Sequence, residues 1–372
     1  MSRFLKVMIV LLAIAAMATP VIAADNLSLS GSMRVRGAYT DSGVDPTSTT
    51  IDHRLRVGGK FMATDAISLT FRTDFSEGQW GSDMAVGRFG TIKDMDRAHL
   101  DINTDTYHLR AGTQYIGTGG MYAFDAQENG IKLDIKGSVP FSLFYILDEN
   151  NGASSDDFFV GATASFSGFG LYSVLSKTSD AEVTLFGATY KADYDGIKVA
   201  AELDFFTGDA DATNDAVGTQ AMIDVSMAAS EAATVGGRFF YAVAAGAGET
   251  QISYLGNGFN GYDPLNYGPY ENENLQNITR PADAFGDAGV MALQLYTNFK
   301  ASDAVNLTGS IAFAQPEDDA VSTGGDDALF LNAGMTYALM QNATIKSQVQ
   351  YVDYDADSDA NMSVGLGLWV NF

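Results

Sequence analysis

The chain of 372 residues contains no cysteine. That excludes a disulfide scaffold, a thiolate zinc site and a cysteine-held iron–sulfur cluster. Histidine is almost as scarce: there are three, all in the first third of the chain. Bases are few as well. Lys and Arg number 21 against 46 Asp and Glu, a formal net charge of −25. Nucleic acid is excluded as a partner, because a phosphate backbone needs a basic footprint. Charged residues of both signs make up only 18% of the chain and mean hydropathy is +0.01, which is too apolar for a disordered acidic polymer. Past the first two dozen residues there is also no apolar run long enough for a membrane-spanning helix.

What is present begins with a targeting segment. Residues 1–24 read MSRFLKVMIVLLAIAAMATPVIAA. Arg3 and Lys6 form a positive start, Val7–Ala18 is an unbroken apolar run, and Pro20 precedes small residues at Val21-Ile22-Ala23. This layout predicts a secretory signal peptide cleaved after Ala23 or Ala24. The apolar run is too short for an anchor helix. Residues 25–372 are then one exported domain.

That domain alternates at period two. In 27–39, Leu27, Leu29, Met33, Val35 and Tyr39 share one face while Ser28, Ser30, Ser32, Arg34 and Arg36 share the other. A strand places successive side chains on opposite faces, so this is a ribbon with one apolar and one polar side. The pattern recurs at 67–75 and 343–351 and ends at 361–372, where Met362, Val364, Leu366, Leu368, Val370 and Phe372 alternate with Ser363, Gly365, Gly367, Trp369 and Asn371. Short connectors share a local repeat (MATDAI, NTDTY, AASEAAT, KASDAV, MQNATI), and long connectors are acidic and rich in Gly and Asn. The spacing predicts strands at 27–39, 51–62, 66–75, 96–102, 106–114, 130–136, 140–147, 158–166, 171–176, 181–190, 197–206, 219–227, 234–242, 290–299, 305–314, 329–337, 343–352 and 361–372. The fold class is all-β: a transmembrane antiparallel up-and-down β-barrel of 18 strands, or 16 without a hairpin containing 96–102 or 171–176. One soluble sheet pair rarely runs to so many strands without a helix. A membrane barrel turns its apolar face to lipid and its polar face to a watery lumen.

The final segment, NMSVGLGLWVNF, ends the chain on Phe372. It resembles the C-terminal assembly signal of Gram-negative outer-membrane proteins. With a strand directly after the signal peptide, the whole exported chain resembles the general diffusion porins. The resemblance implies the Gram-negative cell outer membrane, contact with its lipid and lipopolysaccharide, and recognition of Phe372 by the barrel assembly machinery. It also implies a homotrimer and a third external loop, here Tyr115–Asn129, folded into the lumen. No cofactor is implied.

A lipid-facing Arg or Lys costs about 2–4 kcal/mol at the membrane midplane. Parity places Arg34, Arg36, Arg54, Arg56, Arg72, Arg97 and Arg110 on the lumen side of the first five strands. A turn at Ala63–Asp65 sets Arg56 opposite Arg72 and Arg54 opposite Asp74. A turn at Asn103–Thr104 sets Arg97 opposite Arg110 and His99 opposite His108, and the 40–50 loop sets Arg34 beside Arg56 and Arg36 beside Arg54. Like charges directly opposite destabilise a sheet, so the patch needs a compensating partner. Asp125 and Glu128, on the infolded third loop, are expected to supply it and to form a constriction against the basic wall.

Rival chemistry is thinner. His99 and His108 with Asp101 suggest a hydrolytic or metal constellation, but paired lumen residues generate such coincidences in any barrel. No catalytic residue, metal site or enzyme activity is assigned. The run Asp353, Asp355, Asp357, Asp359 and the pair Asp209 and Asp211 lack the glycine and terminal Glu of a calcium loop and read as solvated acidic loops. The long connector Val243–Gly289 is placed to cover the external mouth. The expected function is passive diffusion of ions and small hydrophilic solutes. The alternatives are a channel that prefers an anionic solute, or a closed structural or adhesin barrel.

Overall fold

A ribbon with one apolar and one polar face is stable only if its backbone groups are paired and its apolar face is kept from water. A computed structural model shows how this chain meets both demands. It describes residues 26–41, 47–80, 94–119, 124–149, 157–251, 267–270, 285–318, 327–354 and 360–372. The expected signal peptide and the acidic run 355–359 lie outside these residues. The strands are β1 (Leu27–Asp41), β2 (Ser48–Met62), β3 (Ile67–Gln79), β4 (Asp94–Asn103), β5 (Tyr107–Thr118), β6 (Phe124–Ile135), β7 (Phe141–Glu149), β8 (Asp157–Phe166), β9 (Phe169–Lys177), β10 (Glu182–Tyr194), β11 (Ile197–Asp209), β12 (Asp215–Ala228), β13 (Ala233–Ala242), β14 (Glu249–Gln251), β15 (Val290–Lys300), β16 (Val305–Gln315), β17 (Ala328–Met340), β18 (Ala343–Tyr354) and β19 (Asn361–Asn371).

Sequence neighbours pair antiparallel, β13 pairs with β15, and β19 returns to β1, so eighteen strands form a closed ring. The three-residue β14 lies parallel to the outer end of β12, outside the ring. All eighteen expected strands are present, β4 and β9 included. The seam is finished by the last residue: Gly31 N donates to Phe372 O at 2.7 Å and Phe372 N donates to Gly31 O at 2.9 Å. Gly31 is required there, because a Cβ would strike the Phe372 ring. Alternate positions divide as expected. Large apolar side chains such as Leu143, Phe186, Leu203, Leu295, Ile311 and Leu366 stay exposed on the outer face, while polar residues such as Asp204, Gln220, Gln294 and Gln348 are buried inside.

The recurring connector motif has a local cause. In the turns after β2, β4, β12 and β15, the hydroxyls of Thr64, Thr104, Ser230 and Ser302 accept backbone N–H groups two or three residues on. A side-chain acceptor of this kind closes a wider turn than a two-residue hairpin. The turns span 63–66 and 104–106, and the strand register shifts accordingly. Arg56 stands opposite Asp74 rather than Arg72. Arg110 stands opposite Asp101 rather than Arg97, and His99 opposite Gly112 rather than His108. Across β1 and β2, Arg34 is opposite Arg54 and Arg36 opposite Asp52.

Two β-bulges then change which side chains face inward. Phe75 is the extra residue between the Arg56–Asp74 and Leu55–Ser76 pairs, and Asp96 is extra between Arg72–Arg97 and Thr73–Met95. A bulge resets the period of two, so Glu77 and Asp96 join the inner face. The register is directly checkable because the chain has no other thiols. The double variant Lys60→Cys/Thr70→Cys should oxidise to a disulfide, since these residues are paired and paired strand residues meet the Cα spacing a disulfide needs. Lys60→Cys/Ser68→Cys, the pair required by the narrower turn, should retain free thiols in a thiol count on the unfolded chain.

Candidate functional site

The lumen is divided into three sectors, beginning with the hairpin of β5 and β6. β4 pairs with β5 only as far as Thr113, and β7 pairs with β6 only from Asn129. Beyond these points Gln114–Thr118 and Phe124–Glu128 pair only with each other. The expected third loop is therefore a two-stranded ribbon that leaves the wall. It packs on inward apolar side chains of β7–β12: Ile116 and Phe124 lie buried with Phe144, Ile146, Val174, Leu185 and Phe206. Phe124 stacks on Phe144 at 5.6 Å between ring centroids and contacts Phe159 at 5.1 Å. Burial of Ile116 and Phe124 contributes about 1.5–3 kcal/mol each. At the tip, Gly119 has φ +83° and no room for a Cβ beside the Glu202 carboxylate and the Tyr172 hydroxyl. Glu202 belongs to β11, six strands round the ring from β5, so the ribbon crosses the lumen. There Tyr172 donates to Glu202 at 2.8 Å and also bonds Asp204, while Gln220 donates to Asp204 at 2.8 Å.

The second sector holds the described residues of the long connector between β14 and β15, 267–270 and 285–289. These residues lie against the inner wall, and the rest of the connector, expected to cover the mouth, lies outside the described residues. Tyr270 is fully buried, donates its N–H to Gln348 Oε1 at 2.9 Å and meets Trp369 edge-on at 5.4 Å. Lys346 Nζ donates to Pro269 O at 3.2 Å and lies 4.7 Å over the Trp369 ring. The connector fits because Gly334 leaves space for Pro269 and Gly367 for the Tyr270 hydroxyl. Nearer the β13 end, Phe285 and Ala288 pack with Phe240, Val290, Phe330, Val352 and Tyr354.

The third sector, β1–β5, carries the densest charge of the inner wall; elsewhere among the described residues ion pairs are isolated, such as Arg238–Asp224 at 2.9 Å. Arg36 Nε contacts both Asp52 oxygens at 3.0 Å, and Arg34 reaches Glu77 at 3.5 Å. Arg56 bonds Asp74 at 2.6 and 2.9 Å and reaches Asp96 at 3.1 Å. Arg72 Nε binds both Asp96 oxygens at 2.9 and 2.8 Å. Arg110 Nε and His108 Nε2 share Asp101 Oδ1 at 2.9 and 2.7 Å, and His99 Nε2 lies 3.3 Å from Asp101 Oδ2. Arg54 lies opposite Glu77. Arg97 lies opposite Arg72. Arg34, Arg36, Arg56, Arg72 and Arg110 are thus held by acids of the same wall. The wall itself therefore supplies counter-charge that was expected only from Asp125 and Glu128. The wider turns and the bulges bring Asp52, Glu77, Asp74, Asp96 and Asp101 between the arginines. Glu128 is on the ribbon opposite Gln114, and the Asp125 side chain lies outside the described residues. Asp96 and Glu77 are the residues that parity missed.

The remaining candidates have structural roles. His53 contacts Ser76 at 2.7 Å and accepts from Trp80 Nε1 at 3.0 Å, away from the other two histidines. Asp211 accepts from Thr213 N, Asn214 N, the Thr213 hydroxyl and Asn214 Nδ2, bonds that hold its carboxyl well below the usual range and close its own loop. Among the described residues no group of three His, Asp or Glu is placed to hold a metal ion.

The sequence matches no model of a known protein family and no curated protein. Solved structures match the fold over nearly its whole length. OccAB2 of Acinetobacter baumannii is 13% identical with a TM-score of 0.65, covering 94% of this chain and 98% of that one. OccK11 (OpdR) of Pseudomonas aeruginosa is 9% identical with a TM-score of 0.61, covering 92% and 96%. A BenF-like porin from Pseudomonas fluorescens Pf-5 is 9% identical with a TM-score of 0.59, covering 93% and 98%. The chain shares their fold. The ribbon that crosses the lumen is testable at its tip. Gly119→Val should dislodge it, because φ +83° is unfavourable for a branched side chain. Chymotrypsin should then cut the folded barrel near Tyr115 and Phe124, sites the parent barrel protects.

Proposed function

We propose that this protein is a Gram-negative outer-membrane channel for passive diffusion of ions and small hydrophilic solutes. The observation that carries this reading is the division of the lumen. Inserted segments pack on the β7–β12 wall and on the wall around Gln348 and Trp369, while β1–β5 keep the densest run of arginines and carboxylates, beyond isolated pairs such as Arg238–Asp224. Burying that many ionised groups along one wall is costly unless water or solute reaches them. The exposed apolar outer face suits lipid, and the shared fold with a protein described as a porin supports the same reading. The constriction lies between the β1–β5 ladder and the crossing ribbon, with Glu128 on the ribbon side. No catalytic role is assigned to His99, His108 or Asp101, whose polar atoms are engaged with one another and with Arg110.

A second reading is favoured by the ladder itself: a channel that prefers an anionic solute. Arginine offers carboxylates and phosphates a forked set of donors, and consecutive arginines let an anion pass between equivalent stations. Trimer formation, contact with lipopolysaccharide and recognition of Phe372 by the assembly machinery belong to the same proposal.

In a planar bilayer the purified barrel should give stable conductance steps. A silent, folded barrel would favour the structural or adhesin reading. With a tenfold salt gradient, replacing Arg34, Arg56 and Arg72 by Gln should move the reversal potential toward cation preference by on the order of 10 mV, out of ~59 mV for ideal selectivity to a monovalent ion. An unchanged potential would remove the ladder from the constriction. Deleting Phe372 breaks both seam bonds and should sharply reduce the heat-modifiable, folded band recovered from outer membranes, with little effect on a barrel already folded in detergent.

A further inference from the structure

The arginine ladder ends in a cavity of about 230 Å³ at the short-turn end of the barrel, lined by Lys60, Ser68, Arg97, His99, Asn103 and Arg110 among others. Its charge differs from that of the ladder above. Arg36, Arg56, Arg72 and Arg110 each grip a wall carboxylate at hydrogen-bond distance. Arg97 forms no ion pair or hydrogen bond with its side chain among the described residues, and its Nε is buried without an acceptor. It stands opposite Arg72, a second cation, where the bulge at Asp96 has turned the nearest carboxylate away to Arg56 and Arg72. Lys60 likewise has no side-chain partner among the described residues. Of the cavity's two carboxylates, Asp101 is shared by Arg110, His99 and His108, and Asp65 sits exposed in the turn.

We propose that this cavity binds a multiply charged oxyanion, of which a phosphate dianion and a dicarboxylate are the two forms. Like charges opposed across a sheet are destabilising, and a guanidinium without a counter-charge is costly in a partly buried site. Both costs fall when an anion with two negative charges bridges Lys60 and Arg97. The hydroxyl of Ser68 and the amide of Asn103 offer neutral donors on the same cavity wall. Arg97 then fixes the position of the anion, Lys60 supplies the second charge, and the His99–Asp101–His108 cluster holds the floor in shape. This site extends the channel reading by giving the ladder an end station, but its binding equilibrium does not require conduction.

The test is equilibrium dialysis of the detergent-solubilised full-length barrel at pH 7.5 against radiolabelled phosphate, succinate and chloride, with folding checked by heat-modifiable gel mobility. Phosphate, succinate or both should bind near one per barrel and resist competition by chloride. Arg97→Gln and Lys60→Gln should each weaken binding about tenfold, as expected for loss of one charge-assisted contact. Arg97→Lys should restore part of it. Lys300→Gln, which removes one charge from an exposed turn elsewhere, should leave it unchanged. Phosphate binding without succinate identifies the phosphate form, and the reverse identifies the dicarboxylate. Failure of both anions to bind, or equal weakening by Lys300→Gln and Arg97→Gln, overturns the proposal. If the anion binds but bilayers stay silent, the channel reading fails and the site stands.

Discussion

The hydrogen-bonded seam between β1 and β19 leaves the sheet with no edge, and most of the molecule follows from that closure. In lipid an unpaired strand edge costs several kcal/mol per backbone group, so the only stable sheet is a ring. A ring has two faces and no third place to put a polar side chain. The outer face must therefore be apolar along its whole height, and every ionised group on a strand must fit the interior. The Gly31–Phe372 contact is where this requirement is most local, because a side chain at Gly31 would part the last two bonds of the ring.

Period-two alternation is a direct imprint of the two faces, which is why all eighteen strands were legible in the sequence. Register was less so. It depends on turn width, and turn width here depends on whether Thr64 or Thr104 folds its hydroxyl back onto the chain. The repeated MATDAI-like motif was visible, but its length in space was not. Bulges were harder still. Nothing in the run Asp94-Met95-Asp96-Arg97 marks Asp96 as the extra residue, and its inward position comes from the partners it finds in Arg56 and Arg72.

The inserted segments did leave a trace that a two-face reading passes over. Where β7–β12 are covered by the ribbon, the strands are apolar on both faces, as in Phe144-Tyr145-Ile146-Leu147 and Phe158-Phe159-Val160. The same is true of Phe239-Phe240-Tyr241-Ala242 and Ala328-Leu329-Phe330-Leu331 under the connector. A strand facing lipid on one side and water on the other has no use for a continuous apolar run, whereas one covered on both sides does. The third loop could be placed from topology, but its form as a paired ribbon follows from Ile116 and Phe124 finding that apolar bed.

On the proposed channel reading, a lumen whose charge is densest on one flank treats a passing molecule unequally. A solute moving beside β1–β5 would exchange its water for arginine and carboxylate mainly on that side. It is held at a fixed attitude, with its dipole set across the pore, and gives up tumbling before it gives up speed. Passage through such a conduit depends on where a molecule carries its charge as much as on its diameter. Two isomers of equal size and formula are then distinguishable by the barrel.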